Sequence, residues 1–190
     1  MVKIFPFIFI LLWSSAFITT KPIIDNSDPF SALAFRFILV AFGFFIFAIY
    51  SKQTIFINKK NLIESFFSGV LFHGLYLGGV FFSISKGMPT GIAALIVTLQ
   101  PILTNALSGP ILNEKVTIQQ WIGVLLGFVG ATLVLGFDVG SNIPIIGLIA
   151  TIIALIAITA STIWQKKLSN NLPLSVSNMY QAVGGFIFHF

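Results

Sequence analysis

Cysteine is absent from the 190 residues, so neither a disulfide framework nor a thiolate metal site can form. Charged residues make up only 8% of the chain, against roughly 25% in a soluble domain. Such a chain has too few charges to cover a water-facing surface, which excludes a soluble globular protein. The apolar runs also lack the two-residue alternation of a transmembrane β-barrel. A membrane protein built of helices remains.

Apolar side chains dominate what is present. Hydrophobic residues make up 57% of the chain, and its 22 phenylalanines occur along the whole length. The net charge is +5, but the basic residues sit between the apolar runs and form no patch. They indicate membrane topology, so we expect the lipid bilayer as a partner and no nucleic acid.

Seven apolar runs approach or reach the roughly 20 residues that a membrane-spanning helix needs. The residues between them are typical of loops, as in the Lys21-Pro22 step and in the Asn-Lys-Lys-Asn segment over 58–61. The predicted fold class is therefore an all-α integral membrane protein. The predicted helices cover residues 4–20, 30–50, 62–85, 90–112, 117–137 and 143–165, and a seventh begins near residue 174.

The lysines predict the orientation of these helices. If the N-terminus is inside, seven lysines lie on the cytoplasmic side and two lie outside, as the positive-inside rule requires. We therefore expect a multi-pass protein of the inner (plasma) membrane with a cytoplasmic N-terminus. The cytoplasmic set is Lys3, Lys52, Lys59, Lys60, Lys115, Lys166 and Lys167, and the outer set is Lys21 and Lys86.

The first apolar run has a second interpretation, as a cleaved signal peptide. Lys3 precedes an apolar stretch that ends at the small residues of 14–16. Trp13 beside that site and the continuing run through Phe17 and Ile18 favour a retained helix.

Two segments near the start of the chain resemble two segments near its end. Residues 14–21 resemble 159–166 at an offset of 145, and 28–31 resemble 172–175 at an offset of 144. Five helices separate the copies, and an odd number turns the second copy upside down in the membrane. Inverted repeats of this kind recur among transporters.

Short motifs follow one another in order through the first five helices. They are Leu12-Trp13-Ser14-Ser15-Ala16-Phe17, Pro29 with 34–37, 93–96, Gln100-Pro101, 108–110, 114–116, 120–123 and 127–131. In order and spacing they resemble the EamA-type members of the drug/metabolite transporter superfamily. The resemblance implies a five-helix repeat over 1–137 and the start of an inverted second repeat over 143–190. It also implies a secondary transporter, a permease or exporter of a small organic metabolite that works by alternating access.

The chain departs from this family in its number of helices. Members usually have ten helices in two complete repeats, whereas this sequence stops within the seventh. Three alternatives are open: a fragment of a longer transporter, an inactive truncated remnant, or a half-transporter that works only as an assembly with another copy, such as a homo-oligomer.

Arg36 is the strongest candidate for a functional residue. It follows Pro29 by seven residues, about 10 Å along a helix, and a charge at that depth costs roughly 3 kcal/mol or more unless it faces protein or a wet cavity. It could anchor an anionic or carboxylate-bearing substrate or act in gating. The alternative is a structural arginine bonded to carbonyls of a neighbouring helix.

His73 and Tyr76 lie one turn apart in the third helix and can share a face. The imidazole could relay protons, although a histidine bonded between helices is the commoner case. No acidic residue lies deep in a span, so no carboxylate relay is expected. No metal site is expected either, because His73 and His189 are far apart in the sequence.

Polar residues also mark the fourth helix. Gln100, Thr104 and Ser108 recur every four residues and form one stripe, and Pro101 frees the carbonyl of Val97. Such a stripe could line a substrate pathway or form hydrogen bonds between helices, worth about 0.6 kcal/mol each. Trp13 and Ser14 could add ring and hydroxyl contacts to the same cavity.

The small residues of the fifth helix have no expected chemistry. Gly123, Gly127 and Gly130 recur at spacings of four and three, which predicts close helix packing.

Other functional classes fit the sequence less well. A retinal protein needs a lysine in its last helix, and 174–190 contains none. An intramembrane enzyme needs a nucleophile with its base, a carboxylate pair or a metal cluster at membrane depth, and none is present. We therefore expect a transporter of a small molecule, with no enzymatic activity and no cofactor.

Overall fold

The computed structural model describes residues 4–135, 143–168 and 172–190. These residues form seven helices joined by short connections, and the described ranges contain no strand. The helices are α1 (Phe5–Asn26), α2 (Pro29–Tyr50), α3 (Lys59–Ser85), α4 (Thr90–Leu112), α5 (Ile118–Leu135), α6 (Ile145–Leu168) and α7 (Leu174–His189).

The predicted fold class is confirmed as an all-α membrane protein. Among the described residues, α2, α3, α4 and α6 are long and apolar enough to cross a membrane. Helix-capping side chains set the starts of α2 and α3: Asp28 accepts from the backbone N–H of Ser31 and Asn58 from that of Asn61, each at 2.8 Å. These caps satisfy backbone donors that have no partner inside the helix.

The predicted end of the first helix was wrong. Lys21-Pro22 was expected to be a loop, yet α1 continues through Pro22 to Asn26. The Asn26 side-chain amide donates to the carbonyl of Pro22 at 2.8 Å, and Ser27 bonds back to Ile23. These local bonds complete the last turn of the helix, which ends four residues beyond the proline.

Two helices carry internal irregularities. In α3, residues Val70–Leu77 form a π-helical segment, whose wider turn changes the usual hydrogen-bond pattern. In α4, the α-helical structure is interrupted at Thr98 and Leu99, just before Pro101. The proline cannot donate a backbone hydrogen bond. This accounts for the interruption of α4, which lies where the sequence predicted it.

Helix α3 lies at the centre of the packing, between α6 and α7. The larger core cluster joins side chains of α3, α4 and α6, and a smaller one joins Leu33 and Phe37 of α2 to Phe81 of α3. Buried hydroxyls connect α3 to α6: Ser83 lies 2.7 Å from Thr151 and donates to the carbonyl of Gly147 at 2.8 Å. Hydrogen bonds of this kind replace the hydrophobic driving force that lipid does not supply.

The crossing of α3 and α7 depends on glycines. A Cβ atom at Gly69 would lie 2.0 Å from the backbone oxygen of Gln181, and one at Gly184 would lie 2.4 Å from that of Phe66. Both distances are far inside van der Waals contact, so any larger residue would push the two backbones apart.

The α5 glycines behave differently, and the packing predicted for them was wrong. Nothing described lies within 4 Å of a Cβ built at Gly123, Gly127 or Gly130. Much of the helix exposes apolar side chains, among them Leu126 and Leu133.

Contacts between helix ends fit an alternating up-and-down path. Lys166 at the end of α6 pairs with Glu114 in the α4–α5 connection at 2.6 Å, and the Tyr180 hydroxyl of α7 donates to the carbonyl of Ile55 at 3.1 Å. All four belong to the side that was predicted to be cytoplasmic. Which of the two sides faces the cytoplasm stays a prediction.

Candidate functional site

A cavity of about 310 Å³ lies between α1, α2 and α3. Most of its walls are apolar or aromatic, as expected for a small-molecule site with a few polar groups. Four of the seven predicted site residues line it: Trp13, Arg36, His73 and Tyr76. The other lining residues are Leu12, Thr19, Thr20, Ile23, Phe37, Val40, Phe72, Leu77, Val80 and Phe81.

Arg36 supplies the formal charge of this cavity. Its side chain is exposed, and the guanidinium carbon lies 5.8 Å from the centroid of the Phe37 ring, within the range of a cation–π contact. Among the described residues no carboxylate pairs with it, since the ion pair found there joins Lys166 and Glu114. The guanidinium is therefore available to a ligand.

His73 and Tyr76 do share one face of α3, as their spacing predicted. The His73 ring packs against Phe37 at 4.4 Å and meets the edge of Phe72 at 5.0 Å. Tyr76 is 2% exposed and forms an edge contact with Phe72 at 5.5 Å. Within the described part of the chain, no hydrogen bond occupies the Tyr76 hydroxyl. One wall of the cavity is thus aromatic with two polar groups set into it.

Trp13 lines the cavity from α1. Its ring lies 6.5 Å from that of Phe72 at an angle of 58°. The side chain of Ser14, the next predicted residue, lies outside the described part of the structure.

His189 is a contact of this site that the sequence did not reveal. Its Nε2–H donates to the backbone carbonyl of His73 at 2.9 Å, inside the π segment. The imidazole also stacks on Phe37 with centroids 5.9 Å apart and on Phe30 at 5.7 Å. The sequence separation of 116 residues hid this contact, because only the packing of α7 on α2 and α3 brings the two histidines together.

This contact does not create a metal site. His189 binds a carbonyl of the His73 backbone rather than the other ring. The described residues contain no group of three or more His, Cys, Asp or Glu side chains that could hold a metal ion.

Gln100 and Thr104 do not join the cavity. The Gln100 amide donates to Thr104 at 3.0 Å and to Thr162 of α6 at 3.2 Å, and Ser108 bonds back to the Thr104 carbonyl. The predicted stripe therefore exists, and of these hydrogen bonds the one from Gln100 to Thr162 connects α4 to α6.

The chain is similar in sequence to known membrane transporters. The family described as the EamA-like transporter family matches residues 3–136. The chain is 24% identical over 165 residues to a probable amino-acid metabolite efflux pump of Salmonella typhimurium, covering 86% of this chain and 53% of that protein. The similarly named Escherichia coli protein is 24% identical over 163 residues, covering 85% and 52%.

A third relative comes from Archaeoglobus fulgidus. It is named as an uncharacterized transporter and is 24% identical over 177 residues, which cover 92% of this chain and 61% of that protein. All three relatives are named as pumps or transporters and not as enzymes. The chain spans about half the length of the two efflux pumps.

Proposed function

Because this chain belongs to the EamA-like transporter family, we propose that it forms part or all of a secondary transporter in the plasma membrane. It moves a small organic metabolite by alternating access, and its N-terminus faces the cytoplasm. The α1–α3 cavity is the substrate path, and Arg36, Tyr76, Trp13 and His73 contact the substrate.

The observation that carries this proposal is an unpaired arginine in a cavity at membrane depth. A guanidinium about 10 Å into a spanning helix is costly in hydrocarbon, so such residues face a wet cavity or a partner. Arg36 has a cavity beside it and no carboxylate partner among the described residues. A structural arginine would instead be bonded to carbonyls of a neighbouring helix.

The packing of α2 and α7 supports an inverted repeat. Both helices begin beside a proline, Pro29 in α2 and Pro173 before α7. The helices run antiparallel, since Phe30 at the start of α2 contacts His189 at the end of α7. Antiparallel packing of two corresponding helices is the relation that an in-plane two-fold axis produces. We propose that α6 and α7 are the counterparts of α1 and α2, within repeats over 1–137 and 143–190.

Transport is tested with the purified chain in liposomes. Counterflow uptake of labelled amino acids, or of carboxylates that lack an ammonium group, should exceed that of protein-free liposomes for at least one compound. Arg36→Gln should lower the initial rate at least tenfold, whereas Lys60→Gln should leave it unchanged, because Lys60 carries the same charge outside the cavity. Uptake equal to that of protein-free liposomes for every compound would contradict the proposed function.

The orientation is tested by single-cysteine labelling. The 190 residues contain no cysteine, so they add no labelling of their own to that of the introduced cysteine. In intact cells an impermeant maleimide should label Lys86→Cys and should spare Lys115→Cys until the membrane is opened. The reverse pattern would place the N-terminus outside.

Assembly with another copy of the chain also stays a prediction. Light scattering of the detergent-solubilised protein should give a particle of two or more chains. A particle of one chain in detergent, together with transport by the same protein in liposomes, would contradict the half-transporter alternative.

A further inference from the structure

We infer that the α1–α3 cavity selects compounds with an anionic head and an apolar body, and discriminates against compounds that carry an ammonium group. This inference rests on the proposed function, because it takes the cavity to be the substrate path. It concerns the charge of the ligand, which membership in the family leaves open.

The charges of the cavity are all of one sign. The guanidinium of Arg36 carries a positive charge, and no described residue that lines the cavity is acidic. The five acidic residues of the chain are Asp25, Asp28, Glu64, Glu114 and Asp138. A ligand ammonium would therefore meet a fixed positive charge with no carboxylate among the described lining residues to balance it, whereas an anion would neutralise that charge.

The polar groups suit a carboxylate in particular. The planar guanidinium of Arg36 can give two parallel hydrogen bonds to one carboxylate, and among the described residues it has no ion-pair partner that competes. The buried Tyr76 side chain lines the same cavity and has a hydroxyl without a partner in the described residues. A hydroxyl buried in an apolar wall gains most from a charged acceptor.

The rest of the cavity suits a small apolar body. Its volume of about 310 Å³ lies at the lower end of the roughly 300–1,000 Å³ found for small-molecule pockets. Trp13 and Phe72 stand 6.5 Å apart at an oblique angle, and Val40, Leu77 and Val80 complete the walls. One ring or one branched aliphatic group can be buried there.

The aromatic walls offer a rival preference. Rings such as Trp13 and Tyr76 attract cations through their faces, and a ring cage without an arginine would bind an ammonium. In this cavity the guanidinium already lies over the Phe37 ring. We therefore expect the full charge of Arg36 to outweigh the attraction of the rings.

The test uses three compounds that share one body: 3-phenylpropanoate, 3-phenylpropan-1-ol and 3-phenylpropylamine. Their binding to the detergent-solubilised chain is measured by titration calorimetry at pH 7. The anion should bind at least tenfold tighter than the amine, with the alcohol between them. Equal binding of the anion and the amine, tighter binding of the amine, or no binding of any compound would overturn the inference.

Variants assign the preference to named groups. Arg36→Gln should weaken binding of the anion to the level of the alcohol, and Lys60→Gln should leave binding of all three compounds unchanged. Binding of the alcohol to Arg36→Gln shows that the variant is folded. If that variant does not fold, Tyr76→Phe replaces it. This variant keeps the ring and should weaken binding of the anion about three- to tenfold relative to binding of the alcohol. An anion preference that survives in a folded Arg36→Gln, or an unchanged preference in Tyr76→Phe when that variant replaces it, would overturn the inference.

Binding and transport can fail separately. If the anion binds as expected but no compound is moved in liposomes, the proposed function fails and the charge selection stands. If compounds are moved with no preference for anions, the selection fails and transport stands.

Discussion

Both α3 and α5 carry a series of glycines within about three turns, but the two series have opposite surroundings in the structure. Gly69 lies against the backbone of α7, whereas a side chain added at Gly127 would meet open space. The difference shows that small residues at helical spacing permit a close crossing without requiring one. Whether a glycine lies in a close crossing depends on whether another helix passes beside it. Of these two helices, α3 lies at the centre of the described bundle and α5 does not.

The largest effect is expected from adding a methyl group at the α3–α7 crossing. Gly69→Ala places Cβ on the backbone oxygen of Gln181, which cannot move as a side-chain end can, so we expect a loss of roughly 2–3 kcal/mol in the free energy of unfolding. Denaturant unfolding in detergent, followed by circular dichroism, measures it.

The matched control is Gly127→Ala in α5. It meets nothing within 4 Å and replaces glycine by a better helix former, so stability should stay constant or rise by up to about 1 kcal/mol. Equal losses in both variants would remove the distinction between the two helices.

The next effect concerns the imidazole at the end of α7. His189→Ala removes the donor to the His73 carbonyl. It should lower the free energy of unfolding by about 1–3 kcal/mol, because that carbonyl is left without its partner. Tyr180→Phe removes the hydrogen bond that joins the second turn of α7 to Ile55. The Tyr180→Phe loss should be the smaller one, about 0.5–1.5 kcal/mol. A larger loss at Tyr180 would show that α7 is held mainly at its first turns.

A smaller effect is expected at the contact of α3 with α6. Ser83→Ala removes the bonds to Gly147 and Thr151, and such bonds average about 0.6 kcal/mol in a membrane. Ser85→Ala serves as the control, since among the described residues its exposed hydroxyl bonds only to the Phe82 carbonyl of the same helix. Unfolding curves that coincide for the two variants would contradict a contribution of the α3–α6 contact.

The smallest effect is expected at the water-exposed start of α2. Hydrogen bonds from the backbone and side chain of Ser31 lower the pKa of Asp28 below its ordinary value. Because the folded pKa is the lower one, the Asp28 contribution is present above the ordinary pKa of about 3.9 and is lost as the pH falls through the folded value. Asp28→Asn should flatten the stability profile slightly below pH 4. An identical profile for both proteins would contradict the capping role of the charge.

Much of the fold could be predicted from the sequence because it depends on local chemistry. The bounds of α4 match the prediction, since Pro89 precedes its first residue and Asn113, in the left-handed conformation with φ of 55°, follows its last. Pro101 likewise predicted the interruption of that helix. Pro22 misled the prediction of α1, because a proline near a helix end can be accommodated by bonds from the residues after it.

The site was predictable only in part. Arg36 and His73 stand out because a charge or a ring nitrogen at membrane depth is unusual, whatever the neighbours, and Tyr76 is noticed because it lies one turn from His73. The separation of Gln100 from their cavity, and the arrival of His189 beside His73, depend on which helices pack together. Residues 116 positions apart leave no local pattern by which such a contact could be recognised.

The π segment of α3 has a consequence for the phase of the helix. In a regular helix of 3.6 residues per turn, residues five positions apart point roughly 140° away from each other. Gly69 and Gly74 are five apart, yet both face α7, since a Cβ at Gly74 would lie 2.7 Å from the Phe188 ring. The wider turn between them absorbs the extra residue, and Gly78 then follows on the same line, against the imidazole of His189. A single-residue deletion within Val70–Gly74 would restore the regular pitch and keep that line at a spacing of four, while an insertion there would rotate every later residue of α3 away from its present neighbour.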